Sequence, residues 1–219
     1  MDLEYDFVSE QELVITTQKE CSRVVWLHNI ETNTGKELEL PIDLPYITGI
    51  LDIHEGQILL AASAYRMPPV ALLGSRETDG YSWKTFTFAD IERSPALMKL
   101  KEANLKEIRH GTVASQLLYT EKDNPLVVIP HGGPHGCHTS RFGAMAAMLI
   151  NYGYNILYAN FTGSTGFDRS VVDALPGNIG QIDLEDIQQA ITIVSETVDT
   201  GSMVSYGGSY GGYMTYQLC

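Results

Sequence analysis

Residues Met203 to Tyr206 lead directly into Gly207-Gly208-Ser209-Tyr210-Gly211-Gly212. This is the pattern G-x-S-x-G at the end of an apolar run, and it limits the fold more than any other stretch. It calls for a buried strand, a turn too sharp for ordinary residues, and a helix that starts at once. Ser209, at the tip, would hold its Oγ out beyond the carboxyl edge of a sheet. Gly207 and Gly211 are expected to let the turn close without Cβ clashes against strand and helix. Keeping a non-glycine residue at such a tip stores about 1–3 kcal/mol of backbone strain.

The preceding hundred residues supply a sheet of the right kind. Leu105 to Ile108 and Thr112 to Tyr119 read as a hairpin about Gly111. Leu126-Val127-Val128-Ile129 is a short, wholly apolar run, as in the central strands of parallel sheets. After Thr139-Ser140, read as an N-cap pair, Phe142, Met145, Ala146, Leu149 and Ile150 recur at helical spacing, and Gly153 ends the helix. The strand Asn155 to Asn160 follows, then the loop Gly163-Ser164-Thr165-Gly166. Leu184, Ile187, Ile191, Val194 and Val198 form one apolar stripe of a second helix, whose acidic start (Asp183, Glu185, Asp186) suits the helix dipole. Residues 105–219 are therefore expected to be the N-terminal part of an α/β domain with right-handed crossovers. Ser209 lies where such sheets place their chemistry.

Residues 1–75 read differently. Short strand candidates at 12–17, 23–30, 37–40, 50–54, 57–64 and 70–73 alternate with turn signals such as Asn33-Thr34-Gly35 and Glu55-Gly56. Such a pattern predicts a β-sandwich or propeller blades. No repeat long enough to close a propeller is present. Residues 76–104 read as a connector that holds a short strand at Thr85-Phe86-Thr87-Phe88.

Composition excludes some partners. The 219 residues carry a formal net charge of −13, which argues against nucleic acid and anionic membranes. No apolar run reaches membrane-spanning length, and the acidic start does not resemble a signal peptide. Cys21, Cys137 and Cys219 are odd in number and irregularly spaced, which suggests free thiols and a cytoplasmic setting. Histidines and acids lack metal-ligand spacing and no phosphate-binding loop occurs, so neither metal nor cofactor is expected.

A second motif lies upstream. Pro130-His131-Gly132-Gly133-Pro134-His135-Gly136 follows the strand 126–129. In α/β-hydrolases the loop after this strand lends one backbone N–H to an oxyanion hole, and the residue after the nucleophile lends the other. Here those residues are Gly133 and Tyr210. Removing one such donor costs about 2.7–4 kcal/mol of transition-state stabilisation.

With both motifs in order, the sequence resembles the prolyl oligopeptidase family of serine peptidases, and within it the acylaminoacyl-peptidase branch. The resemblance rests on His131 to His135, Gly163-Ser164-Thr165-Gly166-Phe167, Leu175-Pro176-Gly177-Asn178-Ile179-Gly180, Asp183, Asp186 and Gly207 to Gly212. It implies a partial α/β-hydrolase sheet preceded by the last blades of a β-propeller. It also implies release of N-acylated amino acids from short blocked peptides, a cytoplasmic location and homo-oligomerisation. Phe161, Thr162 and Asp168 depart from the family pattern of Tyr, Arg and Gly. The larger departure is that the triad order is Ser, acid, His, yet residues 210–219 contain no Asp, Glu or His. The triad Asp and His are absent, His131 and His135 are not expected to replace them, and the chain reads as a C-terminally truncated, inactive fragment. A prolyl oligopeptidase, a dipeptidyl peptidase, an esterase and a non-catalytic binding fragment remain alternatives.

Overall fold

The computed structural model describes residues 3–40, 46–78, 80–88 and 90–219. Contacts divide the chain into two units. One is Met1–Arg93 with Thr139–Gly143, and the other is Ser94–His138 with Ala144–Cys219.

The first unit holds β1 (Glu4–Ser9), β2 (Glu12–Lys19), β3 (Ser22–Asn29), β4 (Thr34–Glu37), β5 (Tyr46–His54), β6 (Gln57–Ala64), β7 (Met67–Glu77) and β8 (Gly80–Thr87). β1 to β4 form one antiparallel meander and β5 to β8 another. The two join where Arg23 of β3 pairs in parallel with Tyr46 of β5. Alternate residues of β2, β3 and β6 are buried, as a sheet with one covered face requires. Val14, Val25, Ile47, Ile58, Leu60 and Leu72 form that core. The β5–β6 hairpin turns on Glu55 and Gly56, at φ 49° and 78°, the positive pair that a two-residue hairpin loop needs.

The sequence reading shifts here in three ways. β1 lies where no strand was expected. The strand expected at 37–40 is centred earlier, at Thr34–Glu37, because Leu27 and His28 of β3 pair with Lys36 and Gly35. All of β8 and a whole helix occupy the expected connector 76–104.

The second unit contains α1 (Pro95–Glu102), β9 (Asn104–His110), β10 (Val113–Tyr119), β11 (Leu126–Pro130), α2 (Ala144–Asn151), β12 (Asn155–Ala159), α3 (Arg169–Asp173), α4 (Ile182–Val194), β13 (Met203–Ser205) and α5 (Tyr210–Leu218). Its sheet runs β13-β11-β12-β10-β9. β11 pairs in parallel with β12 and β13, while β9 and β10 form the hairpin about Gly111. Every residue of β11 and β12 is buried, so both faces of these strands are covered. Leu117, Leu126, Val128, Leu157, Ile187, Ala190, Val194 and Met214 make the core.

Three details of this unit also differ from expectation. α2 starts at Ala144, so Thr139-Ser140 does not cap it. Those residues join the first unit, where Ser140 N–H donates to the Cys21 carbonyl (2.7 Å) and Phe142 N–H to Ser63 Oγ (3.3 Å). α3 was not anticipated; Asp168 caps it by accepting from Ser170 N–H at 3.0 Å. The strand before the glycine turn is shorter and more exposed than a buried strand, with Met203 41% and Val204 53% exposed, because among the described residues it pairs only with β11.

The topology sets up one location. From β11 the chain crosses to β12 on one side, then returns to place β13 on the other. The connections leaving β11 and β13 therefore diverge side by side at the carboxyl ends of neighbouring strands. This is the crevice where open α/β sheets bind ligands.

Candidate active site

The turn after β13 is built as the sequence pattern requires. Ser209 holds φ 55° and ψ −124°, a conformation rare for residues with a side chain, and its side chain is exposed. It immediately precedes α5. A Cβ on Gly207 would lie 2.3 Å from the Gly211 carbonyl oxygen, and one on Gly211 would lie 2.3 Å from the Pro130 oxygen. Backbone therefore meets backbone on both sides of Ser209. Gly208, between them, has open space where a Cβ would go.

The loop after β11 comes to the same place. A Cβ on Gly132 would be 3.4 Å from the Gly208 oxygen and 3.7 Å from Ser209 Cβ. Gly133 is exposed at φ 135°. Tyr210 opens α5, so its N–H is one of the donors that a helix leaves without an internal partner. The structure thus brings together Ser209, Tyr210 and the Gly132-Gly133 backbone at one strand edge.

The histidines near this edge are already engaged. The His131 side chain is buried and stacks on Phe161 at 4.2 Å between ring centroids. Its Nδ1 is 2.7 Å from the Gly132 carbonyl oxygen, and its Nε2 is 2.7 Å from Ser164 Oγ. A carbonyl only accepts, so Nδ1 carries the proton. Burial pushes the imidazolium down to about 4, against the opposing pull of the Gly132 carbonyl, so the ring is neutral at pH 7. Nε2 then accepts from the Ser164 hydroxyl, and neither nitrogen remains for Ser209. His135 Nδ1 is 3.0 Å from the Gly163 oxygen, to which it donates. For His138, burial first and His131 second push the value down to about 3, opposed by the Ile129 and Pro130 carbonyls.

Other contacts were invisible in the pattern. Asp183 is fully buried on α4, its Oδ1 accepting from Leu184 N–H at 3.0 Å and its Oδ2 from the Tyr210 hydroxyl. Burial and then the Asp183 carboxylate raise the Tyr210 phenol well above the usual tyrosine range. Asp186 accepts from Thr162 N–H at 2.7 Å. A buried aspartate in an apolar helix stripe and a tyrosine directly after the turn serine were the available signals, but nothing in the spacing paired them. Phe161, one of the residues departing from the family pattern, is fully buried and supplies the face on which His131 stacks. Asp168, another, is the α3 cap. Among the described residues no cluster of three or more His, Cys, Asp or Glu side chains is arranged around a metal-sized site. No helix among them is long and apolar enough to cross a membrane, and no disulfide joins Cys21, Cys137 and Cys219.

Comparison with known proteins agrees with this geometry. Residues 140–219 match the prolyl oligopeptidase family. The acylamino-acid-releasing enzyme of Sus scrofa is 41% identical over 96 residues, which are 43% of this chain and 13% of that enzyme. The chain thus covers only a small part of that relative's length. Among solved structures, an acylaminoacyl peptidase of Pyrococcus horikoshii superposes with a TM-score of 0.77 at 21% identity, covering 99% of this chain and 35% of that one. A puromycin-hydrolyzing peptidase of Mycobacterium tuberculosis gives 0.76 at 18% identity, covering 97% and 34%. The chain is similar to acylamino-acid-releasing enzymes over 96 residues of sequence, and to acylaminoacyl peptidase structures in its mixed α/β fold.

Proposed function

We propose that this chain carries the nucleophile half of a serine peptidase of acylaminoacyl-peptidase type. Ser209 is the nucleophile. The backbone N–H groups of Gly133 and Tyr210 donate to the oxyanion. The substrates are short N-acylated peptides, from which the acylated first residue is released. The observation that carries this reading is the strained, exposed Ser209, with the Gly132-Gly133 backbone beside it at the strand edge.

The chemistry follows from the atoms present. Ser209 Oγ attacks the carbonyl carbon, the C–O bond forms, and negative charge develops on the carbonyl oxygen. Fixed amide dipoles stabilise that charge without reorganising. The serine hydroxyl proton passes to solvent, the bond from the carbonyl carbon to the leaving atom breaks, the leaving group takes up a proton from water, and an acyl-serine remains. Residues 210–219 offer no acid or histidine, both ring nitrogens of His131 are engaged, and His135 is tied through Nδ1 to the Gly163 carbonyl. Water therefore has no positioned general base, and the acyl group stays on the serine. On this reading the 219 residues acylate slowly and do not turn over.

The two meanders β1–β4 and β5–β8 are read as two propeller blades, on the strength of their four-stranded antiparallel order. The division into 1–75, 76–104 and 105–219 is correspondingly read as blade remnant, connector and catalytic part, with the connector contracted around residues 88–94. A cytosolic setting and homo-oligomerisation of a longer form belong to the same reading.

Incubation with the p-nitrophenyl ester of N-acetyl-alanine tests it. Intact mass should rise by one acetyl-alanyl group, mapped to Ser209 and lost in Ser209→Ala. An adduct elsewhere, or one that persists in the alanine variant, would overturn the assignment. Faster reaction of esters with a free N-terminus or of Gly-Pro esters would move the specificity to a dipeptidyl or prolyl peptidase while keeping Ser209.

A further inference from the structure

Two connections must be held in register for the site to work, and neither is rigid alone. The loop 131–136 is rich in glycine, and Tyr210 is the first residue of a helix. Tracing the hydrogen bonds of each back into the domain leads to one place, the N-terminal end of α4.

From the Tyr210 side the path is short. The phenol hydroxyl donates to Asp183, whose carboxylate is fully buried. A buried carboxylate without partners is costly, so this contact holds the ring firmly. The ring is also packed 5.9 Å, centroid to centroid, from Phe161. Fixing the ring fixes the backbone that bears it.

From the Gly133 side the path is longer but continuous. Asp186 lies three residues after Asp183, on the same helix face. It accepts from Thr162 N–H. That segment folds back on itself: Phe161 N–H donates to Ser164 Oγ at 3.0 Å, and Ser164 N–H to the Phe161 oxygen at 2.9 Å. Ser164 donates to His131 Nε2, and His131 Nδ1–H donates to the Gly132 carbonyl. The Gly132 carbonyl and the Gly133 N–H belong to one planar trans peptide, in which C=O and N–H point in opposite directions. Holding the carbonyl toward His131 therefore aims the Gly133 N–H away from it.

We infer that the N-terminal end of α4 anchors both oxyanion donors, Asp183 positioning Tyr210 and Asp186, one turn further on, positioning Gly133 through Thr162, Ser164 and His131. Asp183 and Asp186 are positioning residues. The inference rests on the assignment of Gly133 and Tyr210 made above. It adds that the two donors are held by separate paths that start one turn apart on a single helix, at residues that touch neither substrate nor Ser209.

The test uses the 15N-labelled 219-residue chain without substrate, so it is independent of acylation at Ser209. Backbone order parameters are measured at Gly133 and Tyr210. Both are expected near the rigid value of about 0.85. In Asp186→Ala the Gly133 value should fall below about 0.6, with Tyr210 unchanged. Asp186→Asn, which keeps an acceptor oxygen, should restore it. Asp183→Ala should loosen Tyr210 and spare Gly133. Equal loosening at both amides in either variant, or none, would overturn the inference. Should a variant fail to fold, the wild-type chain still decides. A long-range 1H–15N spectrum at pH 7 must show His131 neutral and protonated on Nδ1. The Nε2–H tautomer or a charged ring would break the Gly133 path. Both positioning paths intact with no acyl-Ser209 would instead refute the functional reading alone.

Discussion

Alanine at Gly207 and alanine at Gly208 make a matched pair within one turn. At Gly207 the added Cβ would sit 2.3 Å from the Gly211 oxygen, 2.4 Å from its carbonyl carbon and 3.0 Å from its Cα. All three are backbone atoms, so no side chain can swing aside. Relief requires a shift of about 1 Å in the start of α5, and overpacking of this kind costs about 1–3 kcal/mol. The value belongs at the upper end, because Gly211 is itself wedged 2.3 Å, by the same Cβ measure, from the Pro130 oxygen and has no room to retreat. At Gly208 the Cβ meets nothing within 4 Å. There alanine is neutral, or stabilising by about 0.4–1 kcal/mol through the unfolded chain. Urea unfolding reads the contrast directly. With a slope of about 2 kcal/mol per M, Gly207→Ala should lower the midpoint by roughly 1.5 M, and Gly208→Ala should leave it or raise it. Acylation of Ser209 should fall with the first and survive the second. Equal midpoint losses in the two variants would show that the turn is not closed by glycine at Gly207.

Three further outcomes follow from other parts of the molecule. His131 has a folded value of about 4, below its unfolded value near 6.5, so its stabilisation is complete above pH 6.5 and lost as pH falls toward 4. Across that window it contributes roughly 3 kcal/mol of pH dependence, and urea midpoints of His131→Gln should depend on pH less steeply than wild type by about one proton. Leu157→Ala, in a fully buried strand, should cost about 2–5 kcal/mol, whereas Met148→Ala, half exposed on α2, should stay within about 0.5 kcal/mol in the same melts. Ser94 caps α1 by accepting from Leu97 N–H at 3.4 Å, so Ser94→Ala should lower stability by about 0.5–1 kcal/mol.

What could be read from the sequence was the part governed by local periodicity. The apolar runs at 126–129 and 156–159 became neighbouring parallel strands because burial on both faces favours apolar side chains, while the buried Asn155 and Asn160 that flank the second run are hydrogen-bonded. The stripe Leu184, Ile187, Ile191, Val194 formed α4 for the same reason. Glu55-Gly56 announced its hairpin because only residues that tolerate positive φ close so short a loop. What could not be read was set by tertiary contacts. Thr139-Ser140 has the chemistry of a helix cap, yet Ser140 N–H is claimed by Cys21 and the helix waits until Ala144. In the site, the serine and glycines were legible because the turn demands those residue types. The pairings of Asp183 with Tyr210 and of His131 with Ser164 span 27 and 33 residues, and any aspartate or serine at those positions would have read as an ordinary polar residue.

A crystal structure of the chain phosphonylated by an organophosphate measures the central claim most directly. The account predicts phosphorus bonded to Ser209 Oγ, with the phosphoryl oxygen about 2.7–3.1 Å from both the Gly133 and Tyr210 nitrogens. A phosphoryl oxygen turned to solvent, or phosphorus on any other residue, would contradict it.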